Sequence, residues 1–274
     1  MIIDGKKIAE EMLAQVAKEV KHQSKPPRLA VVLIGGHSAS RKFLELKKKA
    51  AEKVGIDFRL YEFPADITTQ KLRKEIVGIA KARVNHGVLI ELPLPPHINA
   101  QYVLNAIPPE KDVDVLSEKS QGVFFTNRSS VLPPAVETIK IILEKNNIDA
   151  RSKNCAIFGY GLLVGKPVSH WLAQQGATVS IINEHTLDAK RHSLEADIIV
   201  SGVGKPNLLK ADMIKEDAVV IDFGFTGVEG KMVGDVAFDE VDQKARLITP
   251  VPGGVGPIVI ASVLKNLMTL TKNR

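Results

Sequence analysis

Asn154-Cys155-Ala156-Ile157-Phe158-Gly159-Tyr160-Gly161-Leu162-Leu163-Val164-Gly165 runs an apolar strand into a glycine loop, and a helical stretch over 166–175 follows at once. Strand, glycine loop and helix in that order form the opening turn of a dinucleotide-binding βαβ unit. Glycines there permit a tight turn and close approach to a pyrophosphate, which the free N–H groups and dipole of a helix start attract. The spacing, G-x-G-x-x-x-G, is longer than the common fingerprint, so on these residues alone a plain strand-to-helix turn stays open. Two more loops at strand ends, Ser201-Gly202-Val203-Gly204-Lys205-Pro206 and Asp222-Phe223-Gly224, favour the ligand reading. Ligands of open α/β sheets bind at the carboxyl ends of strands, where all three loops would gather. The candidate cofactor contacts are Gly159, Tyr160, Gly161, Leu162, Val164, Gly165, Gly202, Gly204 and Gly224. Glu184 follows the strand run 178–182, where a Rossmann domain sets an acid against the ribose hydroxyls; it is otherwise a surface glutamate. A carboxylate there welcomes NAD and repels the extra phosphate of NADP, although His185 or Lys190 nearby would blunt the repulsion.

Outward from this stretch, strand-like runs alternate with helical ones, the signature of α/β folds with parallel sheets. Strands are expected at 29–34, 57–63 and 87–92, with helices at 40–54 and 69–83 and a short helix capped by Asn99. Residues 108–134 carry little periodicity apart from the run 122–125 and read as irregular. A helix over 135–146 then leads into the glycine-loop strand and further strands at 178–182, 197–201, 218–223 and 245–248. The expected fold is therefore α/β in two domains with a cleft between them. A discontinuous substrate domain comprises residues 1–133 plus 252–274, and a Rossmann-type dinucleotide domain comprises 134–251. Between the last strand and last helix, Pro250-Val251-Pro252-Gly253-Gly254-Val255-Gly256-Pro257 combines three glycines with three prolines. That mixture suits a shaped, rigid, ligand-facing loop rather than a flexible linker.

Composition narrows the function classes. The 274 residues suffice for one large or two medium domains. The net charge of +6 is spread along helix faces apart from Lys47-Lys48-Lys49. With no arginine–aromatic interleaving, it reads as a solvated surface with modest attraction for anionic metabolites, not a nucleic-acid groove. No apolar run is long enough for a bilayer and no signal-peptide pattern opens the chain, so a cytoplasmic protein without membrane partners is expected. The single cysteine, Cys155, excludes an intrachain disulfide, fits a reducing compartment and reads as a buried, inert thiol. One thiol and seven histidines without His-x-x-x-His spacing argue against a metal site.

Along nearly its whole length the chain resembles the bifunctional methylenetetrahydrofolate dehydrogenase/cyclohydrolase family. The motifs occur in the family's order: Ile3-Asp4-Gly5-Lys6, Gly35, Ala39-Ser40, Lys47, Leu92-Pro93-Leu94-Pro95 and Lys111-Asp112-Val113-Asp114. Val164-Gly165-Lys166-Pro167, residues 196–200, Val220-Ile221-Asp222 with Gly224, Gly234-Asp235-Val236 and Pro250 to Pro257 continue the series. The resemblance implies a NAD(P)-dependent oxidation of 5,10-methylenetetrahydrofolate, a folate cleft between the domains, and a homodimer. It also implies that Lys47, Glu91 and Asp114 hold catalytic positions. Phe43, Lys47, Leu92, Asp114, Gly253, Gly254 and Pro257 would line the folate site.

Several positions depart from the family's pattern. The tyrosine four residues before the catalytic lysine is Phe43, and the glutamine that hydrogen-bonds the lysine is Glu91. A carboxylate favours the charged ammonium over the free amine that a base needs. Weak or absent cyclohydrolase activity is therefore expected. Val115 replaces the glycine after Asp114 and is expected to hold the loop to ordinary φ. Residues 133–138 keep little of the family's domain-junction motif beyond Pro133. Tyr160-Gly161 replaces a frequent Arg-Ser, which together with Glu184 favours NAD. Two alternatives stay open: a relative with changed substrate, and a nucleotide-binding module without catalysis.

Overall fold

The three strand runs of the first half form β1 (Arg28–Ile34), β2 (Asp57–Phe63) and β3 (Gly87–Ile90), paired in parallel in the order β2-β1-β3. The computed structural model describes residues 1–35, 38–228 and 231–272, excluding the side chains of Ser38, Ala39, Ser40 and Lys42; the Ala39-Ser40 side chains thus lie outside the described residues. β1 is buried along almost its full length, as a central parallel strand covered on both faces must be. The helix Ser38–Lys53 joins β1 to β2, and Thr69–Lys81 joins β2 to β3. Thr68 starts the second helix by accepting the N–H of Lys71, and Leu72, Ile76, Ile79 and Ala80 form its buried face at helical spacing. Asn99 caps the short helix Ala100–Leu104 through the N–H of Tyr102.

Residues 108–134 are more ordered than their composition suggests. They hold a 3₁₀ turn, Pro109–Lys111, and the helix Glu118–Phe125, whose start is capped by the Ser117 hydroxyl accepting from Ser120 N–H. Gly122 inside that helix breaks the apolar period and hides it from a pattern reading. Asn266, on the helix Val255–Lys272, donates to the carbonyls of Val113 and Leu132 and ties the segment down.

The second half forms β4 (Asn154–Phe158), β5 (Thr178–Ile182), β6 (Ile198–Ser201), β7 (Val219–Asp222), a hairpin of β8 (Thr226–Val228) and β9 (Lys231–Val233), and β10 (Leu247–Ile248). Five strands pair in parallel in the order β10-β7-β6-β4-β5. The chain leaves β4 for β5 on one side and returns to β6 on the other. The carboxyl ends of β4 and β6 therefore make the topological switch point of the sheet. Ala156, Phe158, Ile199, Val220, Leu209 and Val236 belong to one buried core cluster. Cys155, on β4, is 2% exposed, and burial, with Asp197 adding to it, pushes its thiol up to about 12. The antiparallel hairpin has no counterpart in the expected strands.

Contacts divide the chain into Met1–Ala9 with Ala135–Val259, and Glu10–Pro134 with the chain from Ile260 on. The division expected from sequence differs at three places: it put residues 1–9 and 252–259 with the three-stranded unit, and Pro134 with the five-stranded one. Main-chain bonding explains the shift. Ile3 N–H donates to Ile248 O, Ile248 N–H donates to Met1 O, and Ile2 bridges Ile248 in parallel, so the N-terminal segment extends the five-stranded sheet beside β10. Gly5 packs so tightly on the 253–254 turn that a Cβ on it would lie 1.7 Å from Gly254 O.

Candidate functional site

In the three-stranded unit, Lys47 is set on the helix Ser38–Lys53 and Glu91 directly after β3, where Glu91 N–H still bonds Val32 O. Both residues are buried at 7% exposure, and Lys47 Nζ donates to both Glu91 oxygens, at 2.7 and 2.9 Å. Phe43, one turn earlier on the helix, places its ring centroid 5.0 Å from the same Nζ, close enough for a cation–π contact. The sequence-predicted lysine, phenylalanine and glutamate are thus brought together. Leu92 follows, half-buried, at a cis peptide bond to Pro93.

Asp114 joins this cluster electrostatically. Burial pushes its carboxyl up to about 7; Lys47 opposes the rise, and Asp112 and Glu91 add to it. Asp112, 1% exposed, accepts the N–H groups of Leu116 and Ser117 and so shapes the turn around Asp114. Val115 corrects the expectation of ordinary backbone geometry: its φ is +59°, in the left-handed region. A β-branched residue is a genuine outlier there. Its N–H bonds Asp112 O, and its side chain is buried at 2%, so hydrogen bonding and packing on both sides hold it in place. The glycine conformation has been kept without the glycine.

In the five-stranded unit the predicted glycine loops after β4 and β6 meet at the switch point. Gly159 has φ +88°, and a Cβ on it would lie 3.3 Å from Gly202 O. A Cβ on Gly165 would lie 2.1 Å from Gly159 O, so the loop closes on itself only because that position is glycine. The helix Gly165–Gln174 starts at Val164 without a side-chain cap. That leaves its first turn suited to an anion. Gly161 has open space around it, Leu162 is half-buried, and Tyr160 is exposed, with Lys166 Nζ 5.6 Å from its ring centroid. Glu184 is exposed after β5, with only His185 near it at 3.9 Å among the described ion pairs. Gly204 stands in the loop after β6 and Gly224 after β7. Gly253, Gly254 and Pro257 form the turn and first residues of the helix Val255–Lys272, closed by Gly254 N–H to Pro250 O at 2.8 Å.

Two buried aspartates in the same unit had no role assigned from sequence. Asp235, fully buried, accepts Ser201 Oγ at 2.7 Å and the N–H groups of Val203 and Lys205 at 2.7 and 2.8 Å. Asp222, at the end of β7, accepts the N–H groups of Gly224, Asp235 and Val236. Burial pushes Asp222 up to about 6, outweighing those three donors. The signal in sequence was the Gly234-Asp235-Val236 motif, which carries no indication of which amides it meets.

Residues 133–274 match the family model for the tetrahydrofolate dehydrogenase/cyclohydrolase NAD(P)-binding domain, and residues 3–114 match that for the catalytic domain. Fold and site together define an α/β enzyme with a Rossmann-type NAD(P)-binding domain. The Bifunctional protein FolD of Bacillus licheniformis is 44% identical over 275 residues, covering 99% of this chain and 97% of that protein. The crystal structure of the bifunctional FolD methylenetetrahydrofolate dehydrogenase/cyclohydrolase of Campylobacter jejuni superposes with a TM-score of 0.95 at 36% identity, covering 100% and 99% of the two chains. The Trypanosoma brucei FolD, solved with NADP and an inhibitor, has a TM-score of 0.95 at 32% identity over 100% and 97% of the chains. The chain belongs to the tetrahydrofolate dehydrogenase/cyclohydrolase family.

Proposed function

We propose that this enzyme oxidises 5,10-methylenetetrahydrofolate to the 5,10-methenyl form and hydrolyses the methenyl product only slowly. In this reading the three-stranded unit holds the folate and the five-stranded unit holds the dinucleotide. The glycine cradle at Gly159 and Gly165 and the uncapped helix start fit a nicotinamide dinucleotide, which supplies the hydride acceptor. Asp114, when ionised, accepts two N–H donors from the amidine-like edge of the pterin. Phe43 offers a ring face for stacking. Hydride transfer needs the two ligands held face to face, and positioning of that kind supplies most of the rate without a tyrosine hydroxyl.

The observation that carries the slow hydrolysis is the bidentate Lys47–Glu91 pair. With its Nζ bonded to both Glu91 oxygens, Lys47 is held in a closed, buried ion pair rather than offered to the methenyl bridge. Reduction of NAD⁺ with methylenetetrahydrofolate, followed by the decay of methenyltetrahydrofolate, tests both halves. Glu91→Gln should raise the hydrolysis rate by about tenfold or more, since a positioned acid–base group contributes ~10²–10⁴-fold. A second reading, in which both reactions run at comparable rates, is favoured by the full-length identity to relatives named bifunctional. Wild-type hydrolysis that keeps pace with oxidation, unchanged by Glu91→Gln, would establish it.

For the cofactor we favour NAD, supported by exposed Glu184 and by Tyr160-Gly161 at the loop. The NADP bound to the Trypanosoma brucei relative argues the other way. Comparing kcat/KM for the two cofactors decides, and Glu184→Ser should shift the ratio toward NADP by roughly tenfold. A homodimer working in the cytoplasm completes the proposal, supported by the family resemblance and by a lone buried thiol. Light scattering tests the dimer.

A further inference from the structure

Two loops reach the switch point of the five-stranded sheet; in the first, Gly159 N–H bonds Ile182 O and Lys166 N–H bonds Gly161 O, and the loops differ in how their other amides are used. At the Gly159–Val164 loop the helix start carries no side-chain cap. At the loop after β6 the amides are turned inward. Gly202 N–H bonds Phe158 O, and Val203 and Lys205 N–H both bond the carboxylate of Asp235. The exposed residues of this second loop are Val203, Lys205 and Gly204, whose carbonyl accepts Thr226 Oγ1. With the Val203 and Lys205 amides bonded to an internal carboxylate, the loop has few backbone donors left for a phosphate, and the Val203 side chain and Gly204 carbonyl suit a flat ring and its sugar.

Asp235 is itself fixed from behind. Asp222 holds the Asp235 and Val236 amides, and Gly224 and Gly234 leave room for the two carboxylates. A Cβ at Gly224 would lie 2.3 Å from Asp235 Oδ1, and one at Gly234 would lie 2.1 Å from Asp222 Oδ2. The clasp runs from the end of β7 through 234–236 to the loop after β6.

We propose that Asp235 is a positioning residue for the nicotinamide-bearing half of the dinucleotide, acting through the Gly202–Lys205 loop, while the phosphates are held at the Gly159–Gly165 loop alone. This rests on the reading that the five-stranded unit binds the dinucleotide. The probes are NAD⁺ and ADP, titrated by calorimetry into the wild-type chain and Asp235→Asn. ADP shares the phosphates and the adenine half but lacks the nicotinamide and its ribose. Asp235→Asn swaps an acceptor for an N–H₂ group facing N–H donors, so the loop must move. NAD⁺ affinity should fall about tenfold while ADP affinity stays within twofold. The KM for NAD⁺ should rise by the same factor, with the KM for the folate unchanged.

Equal loss for NAD⁺ and ADP, or no loss for either in a folded variant, overturns the proposal. Should Asp235→Asn fail to fold, Ser201→Ala decides, since it deletes one hydroxyl donor to Asp235 and leaves both backbone bonds. A two- to threefold loss confined to NAD⁺ supports the assignment, and none overturns it. Wild-type protein that binds neither probe removes the dinucleotide reading beneath the proposal, a result distinct from either variant's failure.

Discussion

Asp114 shows how one residue combines a legible and an illegible part. Its position in Lys111-Asp112-Val113-Asp114 is visible in sequence, but its protonation follows from burial beside Lys47, Asp112 and Glu91. A carboxyl raised from 3.8 to about 7 takes up a proton more readily in the folded chain than in the unfolded one. Ionising it therefore costs native stability, which declines as pH rises from near 4 to near 7. Ligand binding should run the other way if Asp114 accepts N–H donors from a reduced folate. Affinity measured by calorimetry should rise as pH is raised from 6 toward 7.5, approaching tenfold per unit at the acidic end. Asp114→Asn should flatten the profile and weaken binding throughout. A wild-type profile already flat across neutrality would count against that role. Val115 is a case in which local chemistry misleads. Its side-chain type forecasts ordinary φ, yet the Asp112 bonds to residues 115–117 and the buried side chain impose a left-handed backbone.

At the level of elements, the β4 strand, its glycine loop and the following helix were readable because each local preference agrees with the others. Gly165 tests the loop. Alanine there sets a methyl 2.1 Å from Gly159 O, which backbone must relieve by moving. Gly165→Ala should raise the KM for dinucleotide at least about tenfold and lower stability by ~1–3 kcal/mol, as overpacking does. Steady-state kinetics with a thermal melt reads both, and an unaltered KM would show that the loop does not contact the cofactor. The helix Glu118–Phe125 and the β8–β9 hairpin were not readable. The first hides its period behind Gly122, and the second has strands of three residues each, too short for alternation to register.

For the whole molecule, alternation of strands and helices sufficed to forecast two α/β units, because parallel pairing needs crossovers and crossovers leave a rhythm. Unit boundaries were less legible, since the pairing of Ile2 and Ile3 with Ile248 joins segments about as far apart as the chain allows. The Asp222–Asp235 clasp is hidden for the same reason. Apart from Gly224 beside Asp222, its partners lie 13 to 34 positions away, and no local pattern says which amides a carboxylate will meet.

The buried thiol on β4 gives the protein an internal chemical clock. Because Cys155 is the chain's one cysteine, any maleimide adduct reports that a central strand of the five-stranded sheet has become accessible. Labelling followed by mass spectrometry should be fast in concentrated urea and slower by about 10³-fold or more in native buffer, tracking the rare open population. Saturating dinucleotide should slow it further, by the factor (1 + [L]/Kd) that mass action sets for a ligand of the closed form. A modification rate indifferent to both denaturant and ligand would mean that the strand breathes freely. An accessible rate that responds to NAD⁺ instead turns a single sulfur atom into a binding assay needing no substrate turnover.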